Sequence, residues 1–131
     1  MKLAHQVAVV TGGSRGIGAA VARRLGQDGA AVAILYKSNA DAAYAVAAEI
    51  RRDGGKAAVY QADVADEHSV RSAVAQVAAT FGPINVLANI AGVFDAAPAG
   101  DISRKMFDQQ FQVNAWSVVT TTQAALPHFA P

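Results

Sequence analysis

The sequence predicts a doubly wound α/β fold, in which helices cover both faces of a parallel β-sheet. Three observations support this prediction. Short apolar runs and helix-like segments alternate four times along the 131 residues. Their spacing, roughly 25 to 30 residues, is that of βαβ units. The apolar runs also lack the alternating polar residues of a sheet with one wet face. Crossovers between parallel strands are right-handed, and we expect the strand order 3-2-1-4.

The first strand is predicted over residues 6–11 (QVAVVT), a continuous apolar run typical of a strand covered on both faces. Four glycines follow within residues 9–18 (VVTGGSRGIG). Beyond them Ile17, Val21 and Leu25 recur every fourth residue. This recurrence predicts the buried stripe of a first helix, which ends near the segment QDGA.

The second unit begins with residues 30–36 (AAVAILY), which predict another buried strand. A helix follows, with Asn39 or Asp41 as its N-cap. Gly54 and Gly55 are expected to end this helix, since glycine tolerates the backbone conformation of a helix C-terminus.

The third strand is predicted over residues 56–64 (KAAVYQADV), ending near Asp63. Asp66 is a plausible N-cap for the next helix. Its buried stripe is formed by four residues with helical spacing: Val70, Val74, Val77 and Phe81. The pair Gly82-Pro83 breaks this helix.

The fourth buried strand is predicted over residues 84–92 (INVLANIAG). The segment from Asp101 to Phe129 reads as mostly helical, with a joint near Val113-Asn114. After Trp116 an apolar stripe is expected to enter the core: Val119, Thr122, Leu126 and Phe129.

Composition argues against several kinds of partner. The formal net charge of +1 gives no field that would favour nucleic acid or an anionic membrane. There is no cysteine, and the three histidines are scattered, so we expect no metal site. The apolar run near Met1 is too short for a signal peptide or a membrane span. We therefore expect a cytoplasmic protein that binds neither nucleic acid nor membrane.

The glycines are spaced as Gly12-x-x-x-Gly16-x-Gly18. In this spacing Gly12 permits the turn out of the strand, Gly16 lets the backbone lie against a pyrophosphate, and Gly18 lets the helix pack close to the sheet. The helix N-terminus would point free N–H groups at an anion. The pattern alone leaves open a tight turn without ligand, a phosphate or a dinucleotide. In such sheets ligands bind where the strand order reverses, and the turns TGGSRGIG and NIAG would meet there.

The residues at the end of the second strand predict which dinucleotide binds. An NAD site usually has a carboxylate there, which accepts a hydrogen bond from the ribose 2′-OH. This chain has Tyr36, Lys37 and Ser38 instead, with Arg15 in the glycine loop. Two cations and a hydroxyl suit a 2′-phosphate, which predicts NADP(H) in preference to NAD(H). The alternative is that Lys37 and Arg15 are ordinary solvated cations.

Four motifs stand in the order found in one enzyme family: TGGSRGIG, ADV (residues 62–64), NIAG (89–92) and VNAWSVV (113–119). Over essentially all of its length the chain resembles the short-chain dehydrogenase/reductase family. The likeness is closest to the NADP(H)-dependent branch similar to 3-oxoacyl-acyl-carrier-protein reductase. It implies a Rossmann-type domain of an oxidoreductase that transfers hydride between nicotinamide and a carbonyl or alcohol substrate. It also implies a homodimer or homotetramer in the complete enzyme.

The resemblance implies roles for individual residues. Gly12, Gly16 and Gly18 would form the pyrophosphate loop, and the cofactor would be faced by Ser14, Arg15 and Ile17. Asp63 would hydrogen-bond the adenine amino group with Val64 beside it. The adenosine side of the crevice would be lined by Asn89, Ala91 and Gly92. Ile90 stands where the family usually has a second asparagine, which puts one polar contact near the adenosine in doubt.

Asn114 matches the asparagine of the family's Asn-Ser-Tyr-Lys catalytic tetrad, which holds a water in the proton relay. From the residues alone, other readings stay open for two of these positions. Asp63 could cap the following turn, and Asn114 could satisfy loose backbone groups at a helix joint.

The chain ends at Pro131, before the family's catalytic serine and Tyr-x-x-x-Lys motif. None of Tyr36, Tyr44 and Tyr60 is followed by lysine four residues on. We therefore expect residues 1–131 to form one dinucleotide-binding domain, truncated before those groups, that binds cofactor but is inactive alone. The alternatives are an inactive regulatory half-domain and an inert truncation fragment. No residue identifies the substrate.

Overall fold

The computed structural model describes all 131 residues, Met1–Pro131. Four strands form one sheet in the order β3-β2-β1-β4, and all neighbours are parallel. The strands are β1 (Val7–Thr11), β2 (Ala31–Tyr36), β3 (Lys56–Gln61) and β4 (Val86–Asn89). The predicted fold class and strand order are confirmed. We call the end of the sheet where Thr11, Tyr36, Gln61 and Asn89 lie the carboxyl edge, and the opposite end the amino edge.

Each of the first three strands leads into a helix: α1 (Gly16–Gln27), α2 (Ala40–Arg52) and α3 (Glu67–Phe81). The C-terminal part contains α4 (Arg104–Phe111) and α5 (Ser117–Ala125). Between them the segment Gln112–Trp116 forms a π-helical turn, which confirms the predicted joint. None of these helices is both long enough and apolar enough to cross a lipid bilayer.

The sheet is covered on both faces because alternate residues of a strand point to opposite sides. In β1, Val7 and Val9 pack in one buried cluster with residues of α3 and α5. Ala8 and Val10 pack in a second cluster with residues of α1 and α2. The two central strands are therefore almost wholly apolar, as a doubly wound sheet requires.

Polar side chains fix where two of the helices begin. The Oδ1 atom of Asn39 accepts a hydrogen bond from the Ala42 N–H at 3.1 Å, so Asn39 and not Asp41 is the N-cap of α2. The Oδ1 atom of Asp66 accepts bonds from the N–H groups of His68 and Ser69, which confirms the predicted cap of α3.

The buried face of α1 differs from the predicted stripe. Ile17 is 75% exposed, while the buried residues of this helix are all small: Gly18, Ala19, Ala22 and Gly26. A Cβ atom added at Gly18 would lie 2.0 Å from the Gly12 carbonyl oxygen. The helix lies so close to the β1 turn that only small residues fit between them. The large side chains of Val21 and Leu25 lie at its flanks, partly buried.

Two strands are shorter than predicted. β3 ends at Gln61 rather than near Asp63, because Asp63 Oδ1 accepts a bond from the Ala65 N–H and so forms a turn. β4 consists only of Val86–Asn89, and its residues are half-buried. It stands at the edge of the sheet and has a neighbouring strand on one side only. Its residues are therefore less buried than their apolar composition predicted.

The predicted apolar stripe after Trp116 is wrong at Val119 and Leu126, whereas Phe129 packs against the core cluster that contains residues of α3 and α5. Val119 is 41% and Leu126 61% exposed, and Thr122 and Phe129 are half-buried. The buried residues of α5 are instead small or hydroxylated: Ser117, Thr120, Thr121, Ala124 and Ala125. Two of the three buried hydroxyls have acceptors in the preceding turn of helix: Ser117 Oγ donates to the Val113 carbonyl and Thr120 Oγ1 to the Ser117 carbonyl, whereas Thr121 Oγ1 has no partner.

Candidate functional site

A buried threonine joins β1 to the chain that leaves β4. Thr11 is paired with Asn89 in the sheet and is 1% exposed. Its Oγ1 atom accepts hydrogen bonds from the N–H groups of Ile90 at 3.0 Å and Ala91 at 3.1 Å. Sequence reasoning missed this residue. The sequence feature that could have identified Thr11 is a hydroxyl at the end of an otherwise apolar strand, because a buried hydroxyl needs a hydrogen-bond partner.

The two glycine-containing turns meet at the carboxyl edge, as predicted. Gly12 has a φ of +63°, and a Cβ atom added there would lie 2.8 Å from the Cα of Ala91. Gly12 therefore serves two purposes at once. It lets the chain turn out of β1, and its lack of a side chain leaves room for the backbone at Ala91 in the turn after β4.

Gly16 has a different environment from Gly12. Its φ is +55°, and a Cβ atom added there would meet nothing within 4 Å. Gly16 is also the first residue of α1, whose N-cap residue Arg15 makes no side-chain capping bond. The first N–H groups of a helix have no partner within the helix. Open space, free donors and the positive end of a helix dipole thus coincide here, an arrangement that suits a phosphate.

Three side chains of the loop border this open space. Ser14 is half-buried, whereas Arg15 and Ile17 are exposed. The first turn of α1 carries no acidic residue. Arg15 is thus the charged side chain next to the helix N-terminus, and it would reinforce attraction of an anion.

A lysine and a carboxylate lie together at the ends of β2 and β3. Lys37 Nζ is 3.8 Å from Asp63 Oδ2, and the Lys37 side chain is 71% exposed. The other carboxylate oxygen of Asp63 caps the turn at Ala65. Asp63 therefore caps the turn that follows β3, as the alternative interpretation predicted, while its Oδ2 atom faces Lys37. Beside this pair Tyr36 is half-buried and Ser38 is exposed; Val64 packs against the core.

Asn114 lies in the π-helical turn and holds the loop that follows β4. Its Oδ1 atom accepts a hydrogen bond from the Val93 N–H at 2.7 Å, and its Nδ2 atom donates to the Val93 carbonyl at 2.7 Å. A Cβ atom at Gly92 would lie 3.0 Å from Asn114 Oδ1. The Asn114 side chain thus provides hydrogen-bond partners for backbone groups that have none within a helix or strand, which is the alternative role considered for this residue. Its role in a proton relay stays a prediction.

Ile90 occupies the position that the resemblance assigns to asparagine. Its N–H is held by Thr11, and its side chain packs against the core cluster on the side of α1 and α2. The turn therefore keeps its shape by backbone bonding. The side chain at this position contributes apolar packing rather than a polar contact.

The predicted site is an open edge, and a cavity lies at the opposite edge of the sheet. A cavity of about 630 Å³ opens at the amino edge, where its lining includes His5, Arg23, Glu49 and Lys56. A hydrogen bond from Arg23 holds the pKa of Glu49 below its ordinary value and raises that of Arg23. None of the predicted site residues lines this cavity. No three His, Asp or Glu side chains come together as a metal site would require.

Comparison with known proteins identifies relatives over nearly the whole chain. A family model described as short chain dehydrogenase matches residues 6–130. An uncharacterized oxidoreductase of Methylorubrum extorquens is 42% identical over 127 residues, covering 97% of this chain and 51% of that protein. The 4-formylbenzenesulfonate dehydrogenase of Comamonas testosteroni is 42% identical over 131 residues, covering 99% of this chain and 52% of that enzyme.

The fold also matches solved structures. A short chain dehydrogenase from Burkholderia cenocepacia, crystallised in complex with NADP, superposes with a TM-score of 0.94 at 45% identity. The match covers 99% of this chain and 53% of that structure. The chain spans about half the length of the curated relatives it matches.

Proposed function

The chain belongs to the short-chain dehydrogenase family, and we propose that it is the cofactor-binding part of an NADP(H)-dependent oxidoreductase. The complete enzyme would transfer hydride between nicotinamide and a carbonyl or alcohol substrate. Residues 1–131 would form a single dinucleotide-binding domain. The observation that carries this proposal is the open space over Gly16, which coincides with the uncapped N-terminus of α1.

We propose contacts for each part of the cofactor. The pyrophosphate would lie on the free N–H groups at Gly16, Ile17 and Gly18, because these point out of the helix N-terminus. Asp63 Oδ2 would accept a hydrogen bond from the adenine amino group, since Oδ1 is already used by the turn. The adenosine side would be lined by Asn89, Ala91 and Gly92. Ser14, Val64, Tyr36 and Ser38 complete the proposed set.

A preference for NADP(H) follows from charge. No carboxylate stands at the end of β2 to accept a bond from a ribose 2′-OH. Lys37 and Arg15 are exposed cations, and we propose that both contact a 2′-phosphate. Asp63 holds Lys37 near the adenine end of the proposed site. The Burkholderia relative was crystallised in complex with NADP, which supports a nicotinamide dinucleotide as the ligand.

The reaction divides between the cofactor and the protein. Bound nicotinamide would supply or accept the hydride. The residues of this chain would orient the cofactor, and Asn114 would fix the loop at Val93 beside it. Protonation of the developing alkoxide needs an acid, which the family resemblance assigns to a Tyr-x-x-x-Lys motif. Since none of the chain's tyrosines has that spacing, we propose that residues 1–131 alone bind cofactor without turnover.

We further propose that the enzyme is a homodimer or homotetramer joined through α4 and α5. Trp116 is 53% and Leu126 61% exposed. Trp116 also lines a groove of about 460 Å³ together with Phe111 and Val119. Exposed apolar surface of this kind marks a contact site. Sedimentation of the native protein and of a Trp116→Ser variant tests this, with a shift toward monomer expected. The cytoplasmic location stays a prediction.

Equilibrium titration with NADPH and with NADH tests the proposed function. We expect both to bind and NADPH to bind more tightly. Tighter binding of NADH would contradict the role given to Lys37. If neither binds, the proposal is wrong and an inert fragment is the better description.

A further inference from the structure

Gln61 is the last residue of β3, and its side chain reaches the chain that leaves β2. In the parallel register it is paired with Tyr36. Its Nε2 atom donates a hydrogen bond to the Lys37 carbonyl at 3.1 Å. Because a carbonyl oxygen only accepts, this partner selects the amino end of the glutamine amide. An uncharged side chain thus holds the backbone of the lysine that we assign to the 2′-phosphate.

The Gln61 bond extends the connection between β2 and β3 by one residue. Just past the last paired residues, the Ala62 N–H donates to the Tyr36 carbonyl at 2.9 Å. Lys37 lies beyond this point, between the end of β2 and Asn39, the N-cap of α2. Connecting backbone of this kind keeps conformational freedom unless hydrogen bonds fix it. The glutamine amide therefore replaces the strand ladder at Lys37.

The segment after β3 is itself held in place. The Asp63 N–H donates to Ser69 Oγ in α3 at 3.1 Å, and Asp63 Oδ1 accepts from the Ala65 N–H at 3.0 Å. Gln61 stands two residues before Asp63, between this turn and the sheet. The bond from Gln61 thus attaches Lys37 to a part of the chain whose position is already determined.

The position of the Lys37 backbone matters because its side chain is only weakly constrained. That side chain is 71% exposed, and its ammonium is 3.8 Å from Asp63 Oδ2. Exposed ion pairs of this kind contribute little. An exposed lysine samples many rotamers, so the volume that its ammonium visits is set mainly by the place of its Cα atom. Holding the backbone therefore determines where the cation is available to an anion.

We propose that Gln61 is a positioning residue that favours NADP(H) over NAD(H), because it keeps the Lys37 backbone where the ammonium reaches the 2′-phosphate. This inference rests on the proposed function. Gln61 carries no charge, so it acts through Lys37 rather than by attracting the phosphate itself. Ordering the lysine backbone before the cofactor arrives reduces the entropy lost on binding. The uncharged 2′-OH of NAD(H) gains little from the ammonium, so NADH affinity should not depend on Gln61.

Gln61→Met tests this inference, because methionine keeps the length of the side chain but has no N–H donor. Equilibrium titration of the native protein and the variant should show NADPH affinity lowered roughly three- to fivefold, the range of one neutral hydrogen bond. NADH affinity should be unchanged. Gln76→Met is the matched control, since it removes another glutamine amide, which bonds Ser72 within α3. It should leave both affinities unchanged.

A double variant separates positioning from direct contact. In a Lys37→Ala background, Gln61→Met should have no further effect on NADPH affinity, since the side chain through which it acts is gone. A full loss in that background would mean that Gln61 contacts the cofactor itself, and it would overturn the inference. An equal loss for NADPH and NADH, or no loss for either, overturns it as well.

NMR of the cofactor-free protein tests the hydrogen bond separately. Lys37 is the one lysine followed by serine in residues 1–131. Labelling lysine at the carbonyl carbon and serine at the nitrogen therefore selects the Lys37 carbonyl, and Lys37→Ala, which lacks the signal, assigns it. Gln61→Met should shift this signal, and an unshifted signal overturns the inference.

The two proposals fail in different ways. A shifted carbonyl signal with NADPH bound and an unchanged ratio of NADPH to NADH affinity refutes the role of Gln61 alone. If the native protein binds neither dinucleotide, the proposed function is wrong, and the role of Gln61 in cofactor choice is wrong with it.

Discussion

Lys37 Nζ lies 3.8 Å from Asp63 Oδ2, so the cation at the end of β2 faces the carboxylate that follows β3. This pair connects the two ends of the proposed adenosine site. The carboxylate would recognise adenine, and the lysine a phosphate on the neighbouring ribose. The lysine side chain, 71% exposed, remains accessible to a 2′-phosphate bound beside it.

Lys37→Ala should reduce the affinity for NADPH about tenfold and leave that for NADH nearly unchanged. A charge pair at 4 Å near a surface is worth up to about 4 kcal/mol before desolvation, and about a third of that corresponds to tenfold. Paired NADPH and NADH titrations measure the ratio. Lys56→Ala, at the start of β3 and the amino edge, is the matched control. An equal loss for both cofactors would remove Lys37 from the 2′-phosphate site.

Gly16→Ala should mainly impair NADPH binding, whereas Gly18→Ala should mainly reduce the stability of the fold. At Gly16 the added methyl meets no protein atom, so we expect only the cost of the left-handed backbone, about 1–2 kcal/mol, together with loss of NADPH binding. At Gly18 the methyl would lie 2.0 Å from the Gly12 carbonyl oxygen, so the fold itself should be strongly destabilised. Urea unfolding and NADPH titration separate the two effects. Gly100→Ala, with open space around it, is the control.

Thr11→Val should lower the free energy of unfolding by about 1–3 kcal/mol, because the N–H groups of Ile90 and Ala91 lose their acceptor. Valine keeps the shape of threonine, so packing is retained. Thr11→Ser keeps the hydroxyl and should retain most of the stability. Urea denaturation measures both variants. Equal stability of Thr11→Val and wild type would show that this hydroxyl does not hold the turn.

Asn114→Ala should release the loop after β4. Both backbone groups of Val93 lose their partners, so its amide hydrogen should exchange faster with solvent. Asn114→Asp keeps an acceptor for the Val93 N–H but turns a carboxylate toward the Val93 carbonyl, and we expect an intermediate rate. Hydrogen exchange followed by NMR measures these rates. Unchanged exchange in Asn114→Ala would contradict the clamp.

Glu49→Gln should lower the Tm at neutral pH, and the difference from wild type should vanish in acid. The hydrogen bond from Arg23 lowers the pKa of Glu49 in the folded state from its ordinary value of 4.5. Stabilisation from such a carboxylate is present above the unfolded-state pKa and is lost as pH falls through the folded pKa. Thermal denaturation below pH 4.5 follows this loss. With Arg23→Gln as background, Glu49→Gln should have a much smaller effect, because only the weaker attraction between Arg52 and Glu49 then remains; a full effect there would exclude the Arg23–Glu49 pair as its cause.

The central part of the fold could be predicted from sequence because burial there follows composition. β1 and β2 lie inside the sheet, so their apolar runs mark strands directly. The predicted buried residues were wrong on helix faces that lie very close to a neighbouring element, because there the small size of a side chain, rather than its hydrophobicity, decides which residue is buried. In α1 the contact face is Gly18 and its small neighbours, and Ile17 is left in solvent. In α5 the hydroxyls of Ser117 and Thr120 are buried because backbone carbonyls of the preceding turn accept their hydrogen bonds, while that of Thr121 is buried without a partner.

The candidate site was located by motif spacing, but its internal contacts were not. Gly12 and Gly16 occur in one pattern, yet one admits protein backbone and the other borders open space. The clamp on Val93 joins residues that are 21 positions apart. The hydrogen bonds that Thr11 Oγ1 accepts from Ile90 and Ala91 join residues about 80 positions apart. Such distances follow from the packing of the whole chain, which local patterns do not contain.

Chemical-shift mapping by NMR during an NADPH titration tests the central claim most directly. The account predicts that amide signals of Gly16, Lys37 and Ala91, at the carboxyl edge, move with added NADPH. Those of His5 and Gly54, which line the cavity at the amino edge, should remain in place. Shifts confined to the amino edge, with the glycine loop unaffected, would contradict the account.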